Sequence, residues 1–509
     1  MPTCAPIGTV LLAPMEMAEA DRLTIESGIS GWQLMSAAGR AVAGVAAEMI
    51  ALPGPVACLA GPGNNGGDAY VAAANLREQG FAVRVFALGD PERLAGDAAL
   101  ARAAWNAEIK PLSAFEADQF SLIIDGLFGA GLSRALDGKV ANCVERANAC
   151  RTPILSIDLP SGVAGDSGAV LGTAFRASRT ISFFRAKPGH RLEPGRSLCG
   201  EITIRPIGIL PDVLQTIRPR TFDNDPNLWG RVLQWPADAG HKYDRGHAVI
   251  LSGGASKTGA ARLAANAALR AGAGLVTVFS PASAVLVHAA HLTAVMIKRC
   301  EGTSELDAYL ADERLNAFVL GPGFGVGAEA RDAARLILEK GRALVLDADG
   351  ITSYSDDPRA LFALAREAGK KASETRLVMT PHAGEFKRLF PDLASSKGSK
   401  LEQAREAAAR AHSILVLKGR DTVIAEPGGR AAINSTGTPW LATAGTGDVL
   451  TGMIVAQLAQ GTPAFEAACA GVWMHGKAAE AFGPGLIAED LAPMLPKVFS
   501  DLARLTGET

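Results

Sequence analysis

The sequence predicts an α/β protein built from two three-layer αβα domains. Short aliphatic runs alternate with Ala-rich amphipathic stretches along the 509 residues, and turns rich in Gly or Asp separate them. This alternation is typical of βα units around a parallel sheet. The strand candidates are PVACLA, AVRVFAL, SLIIDG, PILSID, AVILSGG, LVTVFS, AFVLGPG, ALVLDAD, LVMTPH and ILVLKG. They are too many for one modest sheet, and the chain is too long for one ordinary domain, so we expect two sheets.

The alternation is interrupted at residues 206–241. This segment is dense in Pro, Trp and polar turn residues and lacks helical periodicity. A linker and an interface segment both fit this composition. We therefore expect the boundary between the two domains inside it.

Charge and cysteine content narrow the functional classes. The 50 Lys and Arg residues nearly balance the 52 Asp and Glu residues, and no run of like charge occurs, which argues against a nucleic-acid partner. The 7 cysteines form no C-x-x-C pair, and an odd number fits a disulfide framework poorly. Without a basic, apolar leader or an apolar run long enough to span a bilayer, we expect a cytoplasmic protein with no membrane partner.

The first motif is GPGNNGGD, between a strand candidate and a helix candidate. Gly61, Gly63 and Gly66 have the G-x-G-x-x-G spacing of a dinucleotide-binding turn, and Asp90 follows at about the distance of a ribose-binding acid. Asp68 argues against a nicotinamide dehydrogenase. We expect it in the first turn of the helix, where its charge would repel a pyrophosphate.

Three acids follow glycine turns or strand candidates in this half: Asp68, Asp125 and Asp158. The carboxyl ends of parallel strands meet at one edge of the sheet, so the three could share one site. Each could instead be a helix N-cap or a turn former. Asn65 and Ser161 add neutral oxygens beside Asp125, a combination that suits a monovalent cation better than zinc.

The motifs GPGNNGGDAYVAA, DGLFGAGL and SIDLPSGVAGDSG together resemble the NAD(P)H-hydrate epimerase domain, also called the YjeF N-terminal domain. The resemblance implies a Rossmann-like domain whose substrate is NADH or NADPH hydrated at C6 of the reduced ring. It also implies a potassium ion held by Asn65, Asp125 and Ser161, with Asp68 or Asp158 handling protons. The implied substrate contacts are Asn64, Asn65, Gly66, Gly67, Asp68, Gly129, Ala130, Gly131, Leu132, Ser133, Arg134, Ala135 and Asp158.

The second half contains the segment TAGTGDVLTG, a Gly-rich turn that leads into an apolar helix candidate. The backbone amides of Gly445, Thr446 and Gly447 would face a phosphate group at the helix N-terminus. Asp448 would lie beside them, placed to take a proton from a hydroxyl that attacks the phosphate. An ordinary Asp N-cap is the alternative. The sequence has no G-x-x-x-x-G-K-[ST] loop, which argues against a P-loop NTPase.

Other segments of this half favour a nucleotide site. LVLKGRDTVIA places Lys418 after a strand candidate with a turn through Thr422, which suits phosphate binding. FVLGPGFG supplies a loop where backbone can lie against a ligand. MTPHAGEF places His382 and Glu385 after another strand candidate, although a single His in such a position is more often a turn residue than a catalyst.

The series LGPGFG, LDADG, TPHAGEF, KGRDTVI and AGTGDVLTG resembles the ribokinase-like superfamily, and within it the ADP- or ATP-dependent NAD(P)H-hydrate dehydratase domain. The resemblance implies Asp448 as the catalytic base, a magnesium ion, and ADP as the default phosphate donor, with ATP left open. The implied contacts with the hydrate are Ala260, Gly323, His382 and Asp448. The implied contacts with the adenine nucleotide are Lys418, Gly419, Arg420, Asp421, Thr422 and Gly447.

Together the resemblances imply residues 13–214 as an epimerase domain, 215–222 as a linker and 223–503 as a dehydratase domain. Such a chain interconverts the R and S hydrates of NADH and NADPH and dehydrates the S form. Two alternatives stay open: a small-molecule kinase in the second half, and a non-catalytic nucleotide- or partner-binding module in the first. A homo-oligomer is compatible with the sequence. Neither the oligomeric state nor a preference for NADH or NADPH hydrate follows from it.

Overall fold

The computed structural model describes residues 7–50, 54–236 and 240–507. Contacts divide this part of the chain into two units. The N-terminal unit comprises Val10–Thr221, and the C-terminal unit contains the residues from Phe222 onward. The division falls inside the Pro- and Trp-rich segment where the sequence loses its regular alternation.

The N-terminal unit is a parallel sheet covered by helices. The strands of this sheet are β2 (Val56–Ala60), β3 (Val83–Ala87), β4 (Ile109–Pro111), β5 (Leu122–Gly126), β6 (Ile154–Ile157), β7 (Arg179–Phe183) and β8 (Glu201–Arg205). The short strand β1 (Val10–Leu11) precedes them in the chain and is not part of this sheet. The helices of the unit are α1 (Pro14–Glu26), α2 (Gly31–Met49), α3 (Asn64–Glu78), α4 (Gly96–Ala104), α5 (Gly138–Ala149), α6 (Gly195–Leu198) and α7 (Val213–Ile217). The sheet order is β4-β3-β2-β5-β6-β7-β8, and all neighbouring strands in it are parallel.

The two faces of this sheet carry separate apolar cores. Val56, Cys58 and Ala60 of β2 pack with α2, α3 and α4 on one face. Ala57 and Leu59 of the same strand pack with α5 on the other face. Alternate side chains of a strand point to opposite faces, so a strand that is apolar at every position is buried on both sides. The unit therefore has the predicted three layers.

The C-terminal unit is a larger sheet, also covered by helices. Its strands are β9 (Thr221–Asp223), β10 (His247–Leu251), β11 (Leu275–Ser280), β12 (Met296–Arg299), β13 (Ala317–Leu320), β14 (Ala343–Leu346), β15 (Leu377–Met379), β16 (Ile414–Leu417), β17 (Val423–Ala425) and β18 (Ala431–Ile433). The order of these strands is β9-β18-β17-β16-β15-β14-β13-β10-β11-β12. Neighbours from β16 to β12 are parallel, whereas β16, β17 and β18 pair in antiparallel fashion.

Helix α18 runs through the core of the C-terminal unit. The helices of this unit are α8 (Pro226–Trp229), α9 (Thr258–Arg270), α10 (Ala282–His291), α11 (Gly302–Tyr309), α12 (Ala328–Glu339), α13 (Ala348–Thr352), α14 (Pro358–Ala372), α15 (Ala383–Leu389), α16 (Pro391–Ala394), α17 (Lys400–Ala411), α18 (Thr446–Ala459), α19 (Ala464–Phe482) and α20 (Ala488–Thr506). Residues 449–459 of α18 are all buried. A Cβ on Gly452 would lie 2.1 Å from the Ala264 carbonyl oxygen, so the glycine lets α18 and α9 approach closely.

The predicted α/β fold class is confirmed, and every strand candidate named from the sequence forms a strand. Strands β7, β8 and β12 were not among the candidates, and neither were β4, β9, β17 and β18, which span 3 residues each and are too short for a recognisable alternation. The cysteines in the described part of the chain are free thiols, and Cys4 lies outside it. No helix among the described residues is both long and apolar enough to cross a membrane.

Candidate active sites

The N-terminal unit holds a cavity of about 610 Å³ beyond the carboxyl ends of β2, β5 and β6. The Gly-rich segments that follow these three strands therefore converge, as the parallel sheet requires. The predicted substrate contacts that line the cavity are Asn64, Asn65, Asp68, Gly129, Ala130, Gly131, Leu132, Ser133, Arg134 and Asp158. Gly66, Gly67 and Ala135 do not line it.

The glycines of GPGNNGGD serve close backbone packing. A Cβ on Gly61 would lie 1.7 Å from the Leu127 carbonyl oxygen, and a Cβ on Gly66 would lie 2.0 Å from the Gly61 carbonyl oxygen. Helix α3 can start directly against β2 and β5 only because neither position has a side chain. Asp90 caps a 3-10 turn, with its carboxylate accepting from the Glu92 N–H at 3.1 Å. Both features that suggested a dehydrogenase thus have structural roles.

Asp158 directly follows β6 and has left-handed backbone geometry, with φ of 65°. Its Oδ1 lies 2.6 Å from the Lys187 ammonium and accepts from the Ser182 hydroxyl at 3.1 Å, while Oδ2 accepts from the Ala130 N–H at 2.7 Å. Burial acts to raise the pKa of Asp158, but the Lys187 charge and the hydrogen bonds from Lys187 and Ala130 lower it to about 2. Asp158 is therefore a carboxylate at ordinary pH.

Two buried residues hold Asp158 in place. The Lys187 side chain is 2% exposed and also donates to Ser182 Oγ at 2.8 Å. His190 Nδ1 accepts from the Lys187 backbone N–H at 2.9 Å, so its Nε2 carries the hydrogen that it donates to the Asp158 carbonyl oxygen at 2.7 Å. Burial lowers the pKa of His190 to about 3, with the Lys187 charge acting in the same direction, and the ring stays neutral.

Asp68 has very different surroundings. It lies in the second turn of α3, and the prediction of the first turn was wrong because the helix already starts at Asn64. The described residues provide no hydrogen bond to its carboxyl group. Burial, followed by the charges of Asp158 and Asp21, raises its pKa well above the ordinary value. Asp21 of α1 lines the same cavity, and burial raises its pKa to about 6.

Asp125 lies outside the cavity lining, in a cluster of hydrogen bonds at the end of β5. Its carboxylate accepts from the Ser161 hydroxyl at 2.6 Å, the Ser161 N–H at 2.8 Å and the Ser156 hydroxyl at 2.9 Å. Burial nevertheless raises its pKa to about 6. Asp125 belongs to a strand, Asp68 to a helix interior, and no helix starts after Asp158, so the N-cap alternative is wrong for all three. The turn alternative holds for two of them: Asp125 also accepts from the Leu127 N–H at 3.3 Å, and Asp158 lies in a bend.

The predicted potassium ligands have suitable chemistry. Asn65 and Ser161 supply neutral oxygens, and Asp125 supplies one carboxylate. A Cβ on Gly129 would lie 3.2 Å from Asn65 Oδ1, and the amide nitrogen of Asn65 is buried with no partner in the described structure. No group of three His, Cys, Asp or Glu side chains within the described residues could hold a metal ion. One carboxylate with neutral oxygens suits a weakly charged cation by its chemistry, and the potassium ion stays a prediction.

In the C-terminal unit, Asp448 lies in the first turn of α18, near an ion pair of 2.8 Å between Lys418 and Asp347. A Cβ on Gly447 would lie 3.6 Å from Lys418 Nζ and 3.8 Å from Asp347 Oδ2, so the start of the helix faces this pair. Burial raises the pKa of Asp448 to about 6; the Asp347 charge adds to this rise and the Lys418 charge opposes it. The N-cap residue is Gly445, so the N-cap alternative for Asp448 is wrong.

The predicted nucleotide-binding segment 418–422 forms a turn between β16 and β17. The Thr422 hydroxyl accepts from the Gly419 N–H at 3.2 Å and donates to the Gly419 carbonyl at 2.9 Å. Lys400 of α17 forms an ion pair of 2.6 Å with Asp421. These contacts fix the shape of the turn, and its backbone lies at the carboxyl end of β16.

Ala260 and Gly323 lie side by side, because a Cβ on Gly323 would be 3.6 Å from the Ala260 Cβ. His382 is the N-cap of α15: its Nδ1 accepts from the Gly384 N–H at 2.9 Å, and the Glu385 carboxylate accepts from the His382 N–H at 2.9 Å. The His382 side chain is 58% exposed. It has the turn role that the sequence allowed, and its contact with the hydrate stays a prediction.

The sequence did not predict three charged residues of these sites: Asp21, Lys187 and Asp347. Asp347 follows the ALVL strand just as Asp158 follows ILSI, so the same reasoning could have found it. Asp21 lies on α1, and Lys187 lies four residues after β7. Asp21 stands in the segment MAEADR, but nothing in the sequence indicated a role for it, and Lys187 stands in no recognised motif. Only the fold brings the two residues to the cavity.

Two family models match the chain. The one described as YjeF-related protein N-terminus matches residues 31–189, and the one described as NAD(P)H-hydrate dehydratase matches residues 248–497. The first range includes Asp68 and Asp158, and the second includes Asp448. The main catalytic candidates thus lie within matched regions, whereas Asp21 and His190 of the N-terminal site lie outside the first range.

Relatives extend over nearly the whole chain. The bifunctional NAD(P)H-hydrate repair enzyme Nnr of Thermofilum pendens is 36% identical, covering 96% of this chain and 95% of its own. The protein of the same name from Thermosynechococcus vestitus is 35% identical, covering 88% of this chain and 89% of its own. A crystal structure of ADP/ATP-dependent NAD(P)H-hydrate dehydratase from Bacillus subtilis with ATP and Mg²⁺ is 29% identical, covering 53% of this chain and 95% of that one, with a TM-score of 0.44. Because the curated relatives match almost end to end, this chain belongs to the family of bifunctional NAD(P)H-hydrate repair enzymes.

Proposed function

We propose that this chain repairs hydrated NADH and NADPH. The N-terminal unit interconverts the R and S epimers at C6, and the C-terminal unit dehydrates the S epimer with ADP as the phosphate donor. Family membership supports both activities. The observation that carries the dehydratase is the carboxyl group of Asp448, with a pKa of about 6, beside the Lys418–Asp347 pair at the start of α18.

The dehydratase reaction follows from this geometry. Asp448 takes the proton of the C6 hydroxyl as the hydroxyl oxygen attacks the terminal phosphorus of ADP, and AMP leaves. The lone pair of the ring nitrogen then expels phosphate from C6, and loss of a proton from C5 restores the reduced nicotinamide. Backbone amides at 445–447 stabilise the negative charge on the transferred group. A magnesium ion bound with the nucleotide would neutralise phosphate charge.

The remaining site residues have binding roles in this proposal. In the N-terminal unit the cavity residues hold the hydrate, while Asn65, Asp125 and Ser161 would bind a potassium ion that adds positive charge beside the cavity. In the C-terminal unit Ala260 and Gly323 contact the hydrate, as does His382. The segment 418–422 and Gly447 contact the adenine nucleotide. ATP is the alternative donor, and we place the reaction in the cytoplasm.

The test is an assay of the intact chain with a mixed preparation of R and S hydrates, comparing ADP with ATP. We expect one reduced dinucleotide and one phosphate for each nucleotide consumed, together with loss of both epimers. A stable phosphorylated product without reduced dinucleotide would instead indicate a small-molecule kinase. Replacing Asp448 by Asn should abolish repair of the S epimer, and normal repair by that variant would eliminate Asp448 as the base.

A further inference from the structure

The cavity of the N-terminal unit contains more acidic than basic groups. The charged side chains that line it are Asp21, Asp68, Asp97, Arg134, Asp158 and Lys187, with His190 behind Asp158. Lys187 is paired with Asp158, and Arg134 is exposed on its loop. Carboxyl groups that share a cavity without matching cations repel one another when ionised, so at least one of them retains a proton.

Asp158 is not the acid that retains the proton. Its Oδ1 forms an ion pair with the Lys187 ammonium and accepts a hydrogen bond from the Ser182 hydroxyl, and its Oδ2 accepts one from the Ala130 N–H. A proton on this carboxyl group would remove the negative charge that pairs with the buried Lys187 ammonium, and a buried charge without a partner is costly. His190 holds the Asp158 backbone at the same time, so the carboxylate is also fixed in position.

Asp68 has the opposite surroundings. Its carboxyl group lines the cavity without a hydrogen bond from any described residue, and two other acids, Asp21 and Asp158, raise its pKa in addition to burial. The helix α3 that carries it is anchored by the close contact of Gly66 with Gly61, which keeps Asp68 at the cavity. A partly buried carboxyl group with this environment can donate a proton at neutral pH.

We infer that the two acids have different roles in the proposed epimerase reaction: Asp68 exchanges a proton with the substrate, and Lys187 is a positioning residue that keeps Asp158 a fixed carboxylate. This inference rests on the proposed function. Asp68 donates its proton to the C6 hydroxyl as the C6–O bond breaks, the ring-nitrogen lone pair forms a C=N bond, and water is released. Water then adds to the opposite face of C6 and returns a proton to Asp68. The Asp158 carboxylate stabilises the cationic ring between these steps.

The test measures R and S epimers directly by chromatography without nucleotide, so that dehydration cannot occur. Wild type, Asp68→Asn, Lys187→Met, Lys187→Arg and Asp21→Asn are compared. The exposed residues Lys139 and Asp118 provide matched controls, Lys139→Met and Asp118→Asn. Dehydration of pure S hydrate with ADP and thermal unfolding report whether each variant is folded.

We expect Asp68→Asn to lower the epimerisation rate by about 100-fold or more, the usual contribution of a general acid. The wild-type rate should fall only towards alkaline pH, as Asp68 loses its proton. Lys187→Met removes the cation that lowers the pKa of Asp158, so this variant should also lose rate towards acid pH. Lys187→Arg keeps the cation and should restore the wild-type profile. Asp21→Asn removes a charge that raises the pKa of Asp68, so the alkaline loss should move to lower pH.

Two results would overturn the inference: a wild-type rate in Asp68→Asn, or a Lys187→Met variant that is slower but has an unchanged pH profile. If Lys187→Met does not fold, the pH profile of Asp21→Asn provides the test. If its loss of epimerisation rate at alkaline pH occurs at the same pH as in the wild type, the assignment of Asp68 is overturned. Failure of the proposed function would give a different experimental result. In that case the wild-type chain itself would exchange R and S no faster than an enzyme-free solution.

Discussion

In both proposed reactions a single carboxyl group transfers the proton, and the loss of dehydratase rate at acid pH can be predicted from one of these groups. Asp448 acts as a base only when ionised, and its pKa is about 6. We therefore expect kcat for the S hydrate to fall as the pH drops through about 6. Asp347→Asn removes a charge that raises the pKa of Asp448, so the fall of kcat should occur at lower pH in this variant. Measurements of kcat from acid to neutral pH check this shift, with a variant of the exposed Asp356, Asp356→Asn, as the control. An unchanged pH dependence of kcat in Asp347→Asn would contradict the prediction.

A second residue-scale prediction concerns the start of α18. A Cβ on Gly447 meets no atom closer than 3.6 Å, so Gly447→Ala should fold normally, with the helix stabilised by roughly 0.5 kcal/mol. The new methyl group would occupy space at the proposed nucleotide site, and we expect KM for ADP to rise by roughly 10-fold, about 1.4 kcal/mol. Gly445→Ala is the contrast, because φ is 87° and its Cβ would lie 2.8 Å from Leu263 Cδ1. It should lower Tm, whereas Gly447→Ala should not.

At the scale of elements, α18 and α19 pack so closely that a single methyl group should disturb them. A Cβ on Gly471 would lie 2.6 Å from Ile454 Cγ1 and 3.1 Å from the Ile454 backbone nitrogen. We expect Gly471→Ala to destabilise the protein by about 1–3 kcal/mol, the usual cost of overpacking. Gly369→Ala in α14 is a suitable control, because its Cβ would meet nothing closer than 3.5 Å. Denaturant unfolding of both variants measures the difference, and equal stabilities would contradict it.

The strands that could be predicted from sequence are mostly apolar runs. The strands buried on both faces, such as β2 and β14, are continuous aliphatic runs and were predicted. Strands β7, β8 and β12 were not predicted, because polar side chains interrupt their apolar residues. Strands β4, β9, β17 and β18 have only three residues and show no period, although the equally short β15 was predicted from its apolar run LVM. The family was predicted from motifs in loops at the ends of strands, and the relatives confirm it. Asp21 and Lys187 could not be predicted, because a residue on a helix or a distant loop reaches a site only through tertiary packing.

At the scale of the whole molecule, the two activities can be separated by mutation. Asp448→Asn should still interconvert R and S but regenerate no reduced dinucleotide. Asp68→Asn should consume the S hydrate quickly and leave the R hydrate to react at the rate of spontaneous exchange. Because the S hydrate is a free product of the first reaction, a mixture of the two variants should again consume R quickly. The measurement is the time course of both epimers, and no recovery in the mixture would mean that S is not released.

The contact between His190 and Asp158 has a consequence for dividing the chain into fragments. The first family model ends at residue 189, one residue before this histidine, and it begins at residue 31, after Asp21. A fragment cut at those limits would keep every motif of the epimerase but lose α1 and the imidazole that holds the Asp158 backbone. It would retain the family signature and lack two supports of the cavity. A minimal epimerase should therefore start before α1 and extend beyond β8.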